Sequence, residues 1–254
     1  NDAGNMATNL SIISLHRKFG RNEVCNWLLF EVKMILRTSR PKRILAAGIF
    51  STINWIFIAS SLEYLNEYVV ILLVIAISTI VTFAYGIFSI SWHCNHFDFL
   101  MLCNGSYKAF IQAKLIILST MSFIMLLTPI TIFIFTSSEY LLPVLSCSLY
   151  IISFPSYITV YFAVLYARKI DTNVGGFTSN YEGRSYKHLV PELIYFTVPV
   201  AILFTMKAIG LPAVGYRILI VLGLVGILSS KHVVELIHQL FLLNKHKMIV
   251  NLRK

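Results

Sequence analysis

The chain has 254 residues and a formal net charge of +10, and 57% of its residues are hydrophobic whereas 13% are charged. Its mean hydropathy of +0.76 is too high for a water-soluble domain, and apolar runs of about 18 or more residues recur, each able to cross roughly 30 Å of hydrocarbon. The composition therefore excludes an ordinary soluble protein and predicts an all-α membrane protein. The basic residues gather at the ends of the apolar runs, which argues against nucleic acid as a partner.

The first part of the chain is predicted to lie outside the membrane core. Residues 1–22 are polar and are expected to form a cytoplasmic lead-in, and residues 23–43 combine an amphipathic helix with a basic cluster. Helical periodicity places Trp27 on the apolar side of that helix and Arg37 on the opposite side. The pattern predicts an interfacial helix in contact with membrane lipids, with Trp27 at headgroup depth. Glu31 lies on the apolar side, and we expect it to form a structural ion pair with a nearby arginine or lysine.

Six transmembrane helices are predicted within residues 44–230, followed by a basic cytoplasmic tail at residues 231–254. The six spans cover residues 44–61, 68–90, 115–135, 142–166, 189–206 and 217–230. Three spans contain a proline, which removes a backbone hydrogen bond and is expected to bend its helix. These prolines are Pro129, Pro155 and Pro199.

The distribution of basic residues predicts the orientation of the spans. If the N-terminus is cytoplasmic, all of the 21 lysines and arginines except Lys207 and Arg217 lie on the cytoplasmic side. Because cytoplasmic loops of membrane proteins carry an excess of lysine and arginine, this asymmetry favours a multi-pass protein with both ends in the cytoplasm.

The segment between the second and third spans, SWHCNHFDFLMLCNGSYKAFIQAK at residues 91–114, lies between two long apolar runs and is itself too polar to be a span. Its histidines, cysteines and aspartate are possible metal ligands, but helical spacing spreads them over different faces, so a metal site is not favoured. The favoured interpretation is an amphipathic cytoplasmic helix with Asp98 facing water or a partner. Its packing residues are Trp92, Phe97, Leu100 and Met101.

No catalytic constellation is recognised in the sequence. It contains neither the phosphate-binding loop of nucleotide-binding proteins nor a Gly-x-Ser-x-Gly motif. Glu192, an acid within an apolar run, follows Pro191 in the first turn of its predicted helix, where the positive helix end favours a carboxylate. A cap or interface position is favoured over a proton relay. We therefore expect no catalytic residue, metal or cofactor in this chain.

Several motifs resemble, in the same order along the chain, the C-terminal half of a family of bacterial ABC-transporter permeases of the type-2 exporter-like kind. The motifs are EVKMILRTSRPKR, FSISWHCNHFDFLM, YKAFIQAK, KIDTNVGGFTSNYEG and the basic ending NKHKMIVNLRK. His93 stands where the family pattern has an acidic residue after the tryptophan.

The resemblance implies the permease subunit of an exporter in the bacterial cytoplasmic (inner) membrane, paired with a second permease copy or half. A separate ATP-binding subunit, which carries the ATP and Mg²⁺, would dock on residues 92–114, and closure of its dimer would push the attached spans. The chain itself would be a transport subunit and not an enzyme. The alternatives are a secondary transporter or channel and, third, an intramembrane enzyme, but both need polar residues at mid-membrane, and the predicted spans offer few.

Overall fold

The computed structural model describes residues 22–59, 67–102, 106–136, 140–170, 187 and 189–253, and over this part of the chain the regular structure is entirely helical. The helices are α1 Glu23–Arg37, α2 Ser39–Ala59, α3 Glu67–Gly86, α4 Phe97–Leu102, α5 Tyr107–Thr136, α6 Leu141–Leu165, α7 Leu189–Ala208, α8 Pro212–Leu228 and α9 Ser230–Arg253. A 3₁₀ turn at Ser91–His96 precedes α4. Residues 1–21 of the predicted lead-in lie outside the described residues.

Four helices in the described part are long and apolar enough to cross a membrane, and they occupy Val69–Cys94, Tyr107–Phe135, Leu141–Leu165 and Val190–Ala208. The pair α8 and α9 meets the same criterion jointly and is bent by 61° between the two helices. The chain is therefore a multi-pass all-α membrane protein, with four or five candidate spans among the residues that the structure describes. The expected layout of six spans is not reproduced.

Two predicted spans, in α2 and α8, are not candidates by themselves. In α2 the basic residues of the first turns leave residues 44–59 as the apolar part, about 24 Å of helix at about 1.5 Å per residue. Helix α8 has 17 residues, or about 25 Å. Both fall below the roughly 30 Å of a hydrocarbon core. Hydropathy along the sequence located both segments, and the described apolar helix in each is shorter than any of the four candidate spans.

Helix α6 is the centre of the bundle, packing against α3, α5 and α8. Glycines allow α8 to approach it closely: a Cβ atom added at Gly223 would lie 2.6 Å from the backbone carbon of Leu149, and one at Gly226 would lie 2.5 Å from Ser153 Oγ. Small residues at such a contact let two helix backbones approach in a membrane, where packing replaces the hydrophobic effect between helices.

The predicted basic tail is a helix. Helix α9 spans 24 residues and returns against α5, α6 and the 3₁₀ turn. Its buried hydrophobic residues are spaced by three, four or seven positions, which places them on one inward face of the helix. They are Val234, Ile237, Phe241, Met248 and Leu252. The segment is therefore part of the packed structure and not an extended tail.

The three predicted kink prolines all lie inside helices: Pro129 in α5, Pro155 in α6 and Pro199 in α7. Each helix continues through its proline. At Pro155 the carbonyl accepts a hydrogen bond of 2.7 Å from the Thr159 hydroxyl, which gives the backbone around the proline an additional side-chain donor. That these prolines bend their helices stays a prediction.

Candidate functional site

Residues 91–102, here named the connector, join α3 to α5 and contain the predicted docking helix. Trp92, Phe97 and Leu100 are only 3%, 2% and 4% exposed, so their side chains point into the chain. Asp98 is exposed and Met101 is half-buried. Of the five residues expected to dock a partner, three are therefore buried against this chain, and only the Asp98–Met101 edge reaches the surface.

The buried residues of the connector contact α2, α3 and α9. The Trp92 indole Nε1 donates a hydrogen bond of 3.0 Å to the Tyr85 carbonyl, and the Phe97 ring lies 6.5 Å from the ring of Phe241 in α9. The guanidinium of Arg40 lies 5.8 Å from the centre of the Trp92 ring, which is within cation–π range. Sequence periodicity identified correctly which side of the connector packs. It does not show whether that side packs against this chain or against a partner.

Helix α1 faces the bundle with the side predicted to be apolar. Trp27 is half-buried, with its ring 5.2 Å from Phe110 of α5. Val32 and Leu36 are exposed apolar residues and Arg37 is an exposed base. A helix that is packed on one side and carries both apolar and basic residues on its surface is suited to the membrane interface.

A buried polar cluster joins α1, α3, the connector and α5. Glu31 Oε1 lies 2.7 Å from His93 Nε2 and 2.7 Å from Lys114 Nζ. Lys114 Nζ also lies 2.7 Å from His93 Nε2. The Tyr85 hydroxyl donates to Glu31 Oε2 at 3.1 Å. All four residues are buried, so the cluster ties four segments together in a part of the molecule that excludes solvent.

The proton on His93 Nε2 decides which contact in this cluster is a hydrogen bond. When Nε2 carries a proton it donates to Glu31, and when it does not, it accepts from the Lys114 ammonium. Lys114 donates to Glu31 in both states. The cluster therefore has two proton arrangements that share one carboxylate–ammonium pair.

The charges of the cluster hold Glu31 in its ionised form. Burial alone raises the pKa of the Glu31 carboxyl, but the positive charges of His93 and Lys114 and their hydrogen bonds outweigh burial and lower the pKa from 4.5 to about 2. The expectation that Glu31 forms a structural ion pair is confirmed. Its partner is Lys114, which is remote in sequence, so periodicity within α1 alone gave no sign of it.

A groove of about 650 Å³ opens between α2, α3 and α7. Its walls are mostly apolar and include Gly48, Ala76 and Ala84, while Arg40 and Glu192 lie among its lining residues. Glu192 is in the first turn of α7, as predicted. Sequence reasoning did not anticipate the groove, because it depends on how three separate helices diverge.

Within the described residues, no three histidine, cysteine, aspartate or glutamate side chains are grouped in a way that could hold a metal ion. His93, one of the possible ligands in the polar segment, is in contact with Glu31 and Lys114 instead. Here a basic side chain occupies the position beside the carboxylate where a metal site would need a further ligand.

Comparison with known proteins gives one match. Residues 4–254 match the model of a family described as a family of unknown function (DUF5687). No curated protein and no solved structure matches the chain. A role for the connector, the polar cluster and the groove is therefore inferred from the contacts within this chain.

Proposed function

The chain belongs to the DUF5687 family, whose function is unknown, and we propose that it is the membrane-spanning permease subunit of an ABC exporter. A separate ATP-binding subunit would supply ATP hydrolysis and act on the connector. The ordered resemblance of its motifs to such permeases supports the assignment. The transported substrate would cross a pathway formed with a second permease copy or half in the bacterial inner membrane.

One observation carries the proposal: the connector is joined to several helices at once. His93 contacts Glu31 of α1 and Lys114 of α5 at 2.7 Å each, and Phe97 packs against Phe241 of α9. A force applied to the connector would therefore move these helices together. A subunit that transmits the closure of an ATPase dimer needs such a rigid attachment, because loose segments would absorb the displacement.

We further propose that α2 and α8 also lie within the membrane, which gives six embedded helices with both chain ends in the cytoplasm. In α2, Ile49 and Phe50 are 59% and 67% exposed, and in α8, Leu228 is 80% exposed. Large apolar side chains at such exposure are favourable in lipid and unfavourable in water. The basic first turns of α2 then lie at the cytoplasmic headgroups.

The docking contact is assigned to the exposed edge of the connector at Asp98 and Met101. Trp92, Phe97 and Leu100 hold this edge in place from the inside and contribute to docking only through it. The ATP-binding subunit would meet Asp98 with a basic or hydrogen-bonding group, since a charge at the rim of an interface sets register and association rate.

The test uses the chain co-expressed with a candidate ABC ATP-binding subunit and reconstituted in vesicles. We expect ATP hydrolysis to rise several-fold when both subunits are present. Asp98→Lys should raise the concentration of ATP-binding subunit that gives half of this stimulation by roughly tenfold, since reversing an interfacial charge costs on the order of 1–2 kcal/mol. Glu23→Lys, the same exposed charge reversal on α1, is the matched control and should leave it unchanged. Equal effects of the two substitutions would contradict docking at the connector.

The buried cluster favours one alternative, a proton-coupled secondary transporter, because ionisable groups inside a membrane protein commonly mark proton pathways. That function predicts substrate or proton movement driven by a pH gradient in vesicles that lack ATP and the ATP-binding subunit. Proton flux in such vesicles that is abolished by His93→Gln would replace the ABC proposal with this alternative.

A further inference from the structure

We propose that the groove between α2, α3 and α7 binds one zwitterionic phospholipid of the cytoplasmic leaflet, with its phosphate at Arg40 and its ammonium near Glu192. This inference goes beyond the permease proposal and does not depend on an ATP-binding partner. It rests on the depth of the groove, on its apolar walls and on the two opposite charges among its lining residues.

The groove has the depth of one leaflet. Along α2 its lining runs from Arg40 to Gly48, which is about 12 Å at about 1.5 Å per residue. Half of a hydrocarbon core is about 15 Å. An acyl chain that enters from the headgroup region would therefore fill the groove and end near the middle of the membrane.

The walls of the groove suit a hydrocarbon chain. Ala47, Gly48, Ala76 and Ala84 contribute small apolar surfaces. Thr79 also lines the groove, but its hydroxyl donates to the Ile75 carbonyl at 2.7 Å, so its hydrogen-bonding capacity is used within α3. A polar solute would find few hydrogen-bonding groups along these walls, whereas an acyl chain requires none.

The charges lie at the end of the groove where a headgroup would be. Arg40 is in the first turn of α2, and Glu192 is in the first turn of α7. Arg40 is 1% exposed, and its guanidinium lies 5.7 Å from the centre of the Phe88 ring. A guanidinium favours phosphate oxygens, and a carboxylate favours an ammonium group. A phosphoethanolamine headgroup carries both groups, whereas an anionic headgroup would place a negative charge near Glu192.

The experiment measures bound lipid by native mass spectrometry. The purified chain is delipidated and incubated with equal amounts of phosphatidylethanolamine and phosphatidylglycerol that have identical acyl chains. We expect one tightly retained phosphatidylethanolamine per chain. Ala47→Trp, which fills the groove, should lower its retention by at least tenfold. Ala46→Trp is the matched control, since Ala46 is the exposed neighbour on α2 and does not line the groove.

Headgroup variants test the charge assignment separately. Glu192→Gln should remove the preference for phosphatidylethanolamine over phosphatidylglycerol while one lipid stays bound. Arg40→Gln should weaken the binding of both lipids. The proposal is overturned if Ala47→Trp and Ala46→Trp retain lipid equally, or if the wild-type chain binds the two lipids without preference. A lipid-free dimer that loses its association on Ala47→Trp would also overturn it, since a second copy would then cover the groove.

Discussion

At the scale of single residues, the buried pair of Glu31 and Lys114 joins α1 to α5 beside the connector. Two opposite charges in a solvent-excluded site stabilise a structure only while both are present. Removing either one leaves the other without its counter-charge, and the desolvation cost then falls entirely on the remaining group. The pair therefore specifies how α1 sits against α5, because another placement of α1 would separate the two charges.

We expect Glu31→Gln to lower the free energy of unfolding by about 3–5 kcal/mol, the cost of breaking a buried ion pair by removing one partner. The double variant Glu31→Gln with Lys114→Met should recover most of that loss, since no buried charge remains. Unfolding in mixed detergent micelles measures both. A double variant as unstable as the single one would show that the charge of Lys114 is not the source of the effect.

The difference in the free energy of unfolding between wild type and Glu31→Gln should depend on pH, because the pKa of Glu31 is lowered in the folded chain. A carboxyl whose pKa is lower in the folded than in the unfolded chain contributes its stability above the unfolded value, and the contribution is lost as the pH falls toward the folded value. The gap between wild type and Glu31→Gln should therefore be constant near neutral pH and narrow as the pH falls from about 4.5 toward about 2. A difference in stability that stays constant across this pH range would mean that the charge of the Glu31 carboxylate does not stabilise the folded chain.

At the scale of elements, the connector shows what the sequence could and could not predict. Its helical character and the inward packing of Phe97 followed from the spacing of apolar residues. The surface that receives Phe97 is on α9, more than a hundred residues later in the chain. No local pattern encodes that contact, so the sequence alone does not show that Phe97 packs within this chain.

Phe97→Ala should lower the free energy of unfolding by about 3–5 kcal/mol, as is typical for truncating a buried phenylalanine. Phe135→Ala is the matched control, because Phe135 is 83% exposed at the end of α5 and its truncation removes little packing within the chain. Thermal unfolding in detergent compares the two. If Phe97 docks a partner instead, its truncation should leave the isolated chain as stable as the Phe135 variant.

The groove and the polar cluster could not be predicted for a related reason. Each is made by residues from three or more elements whose relative positions arise only on folding. Glu31 was recognised as unusual from its place on an apolar side, which is a property of one helix. Lys114 was assigned to a polar segment, and nothing in its neighbourhood along the chain relates it to Glu31.

At the scale of the whole molecule, composition was sufficient to predict the class of protein. It was not sufficient to predict the number of spans. The hydrophobic fraction and the long apolar runs predicted an all-α membrane protein, and this is confirmed. The count of six spans used hydropathy alone, while the apolar part of α2 and the whole of α8 are shorter than a hydrocarbon core. Where a helix begins depends on capping and on charges in its first turn, which hydropathy averages away.

Cysteine labelling tests the proposed orientation. In a cysteine-free background, Ile209→Cys in the turn between α7 and α8 should react with a membrane-impermeant maleimide added to intact cells. Lys247→Cys on α9 should react only in inside-out vesicles. Both side chains are exposed, so access and not burial decides the result. Labelling of the Lys247 variant from outside would contradict cytoplasmic chain ends.

The bend between α8 and α9 has a mechanical consequence. Helix α9 leaves α8 at 61°, and Phe241, where it touches the connector, is 11 residues beyond its start, or about 17 Å along its axis. If the corner behaves as a fulcrum, this helix is a lever arm, and a displacement of about 1 Å at Phe241 corresponds to a rotation of about 3° at the corner. Gly223 brings α8 close to the backbone of α6, and Gly226 brings it close to the Ser153 side chain. Because of this close packing, a rotation at the corner would also displace α6 at the centre of the bundle.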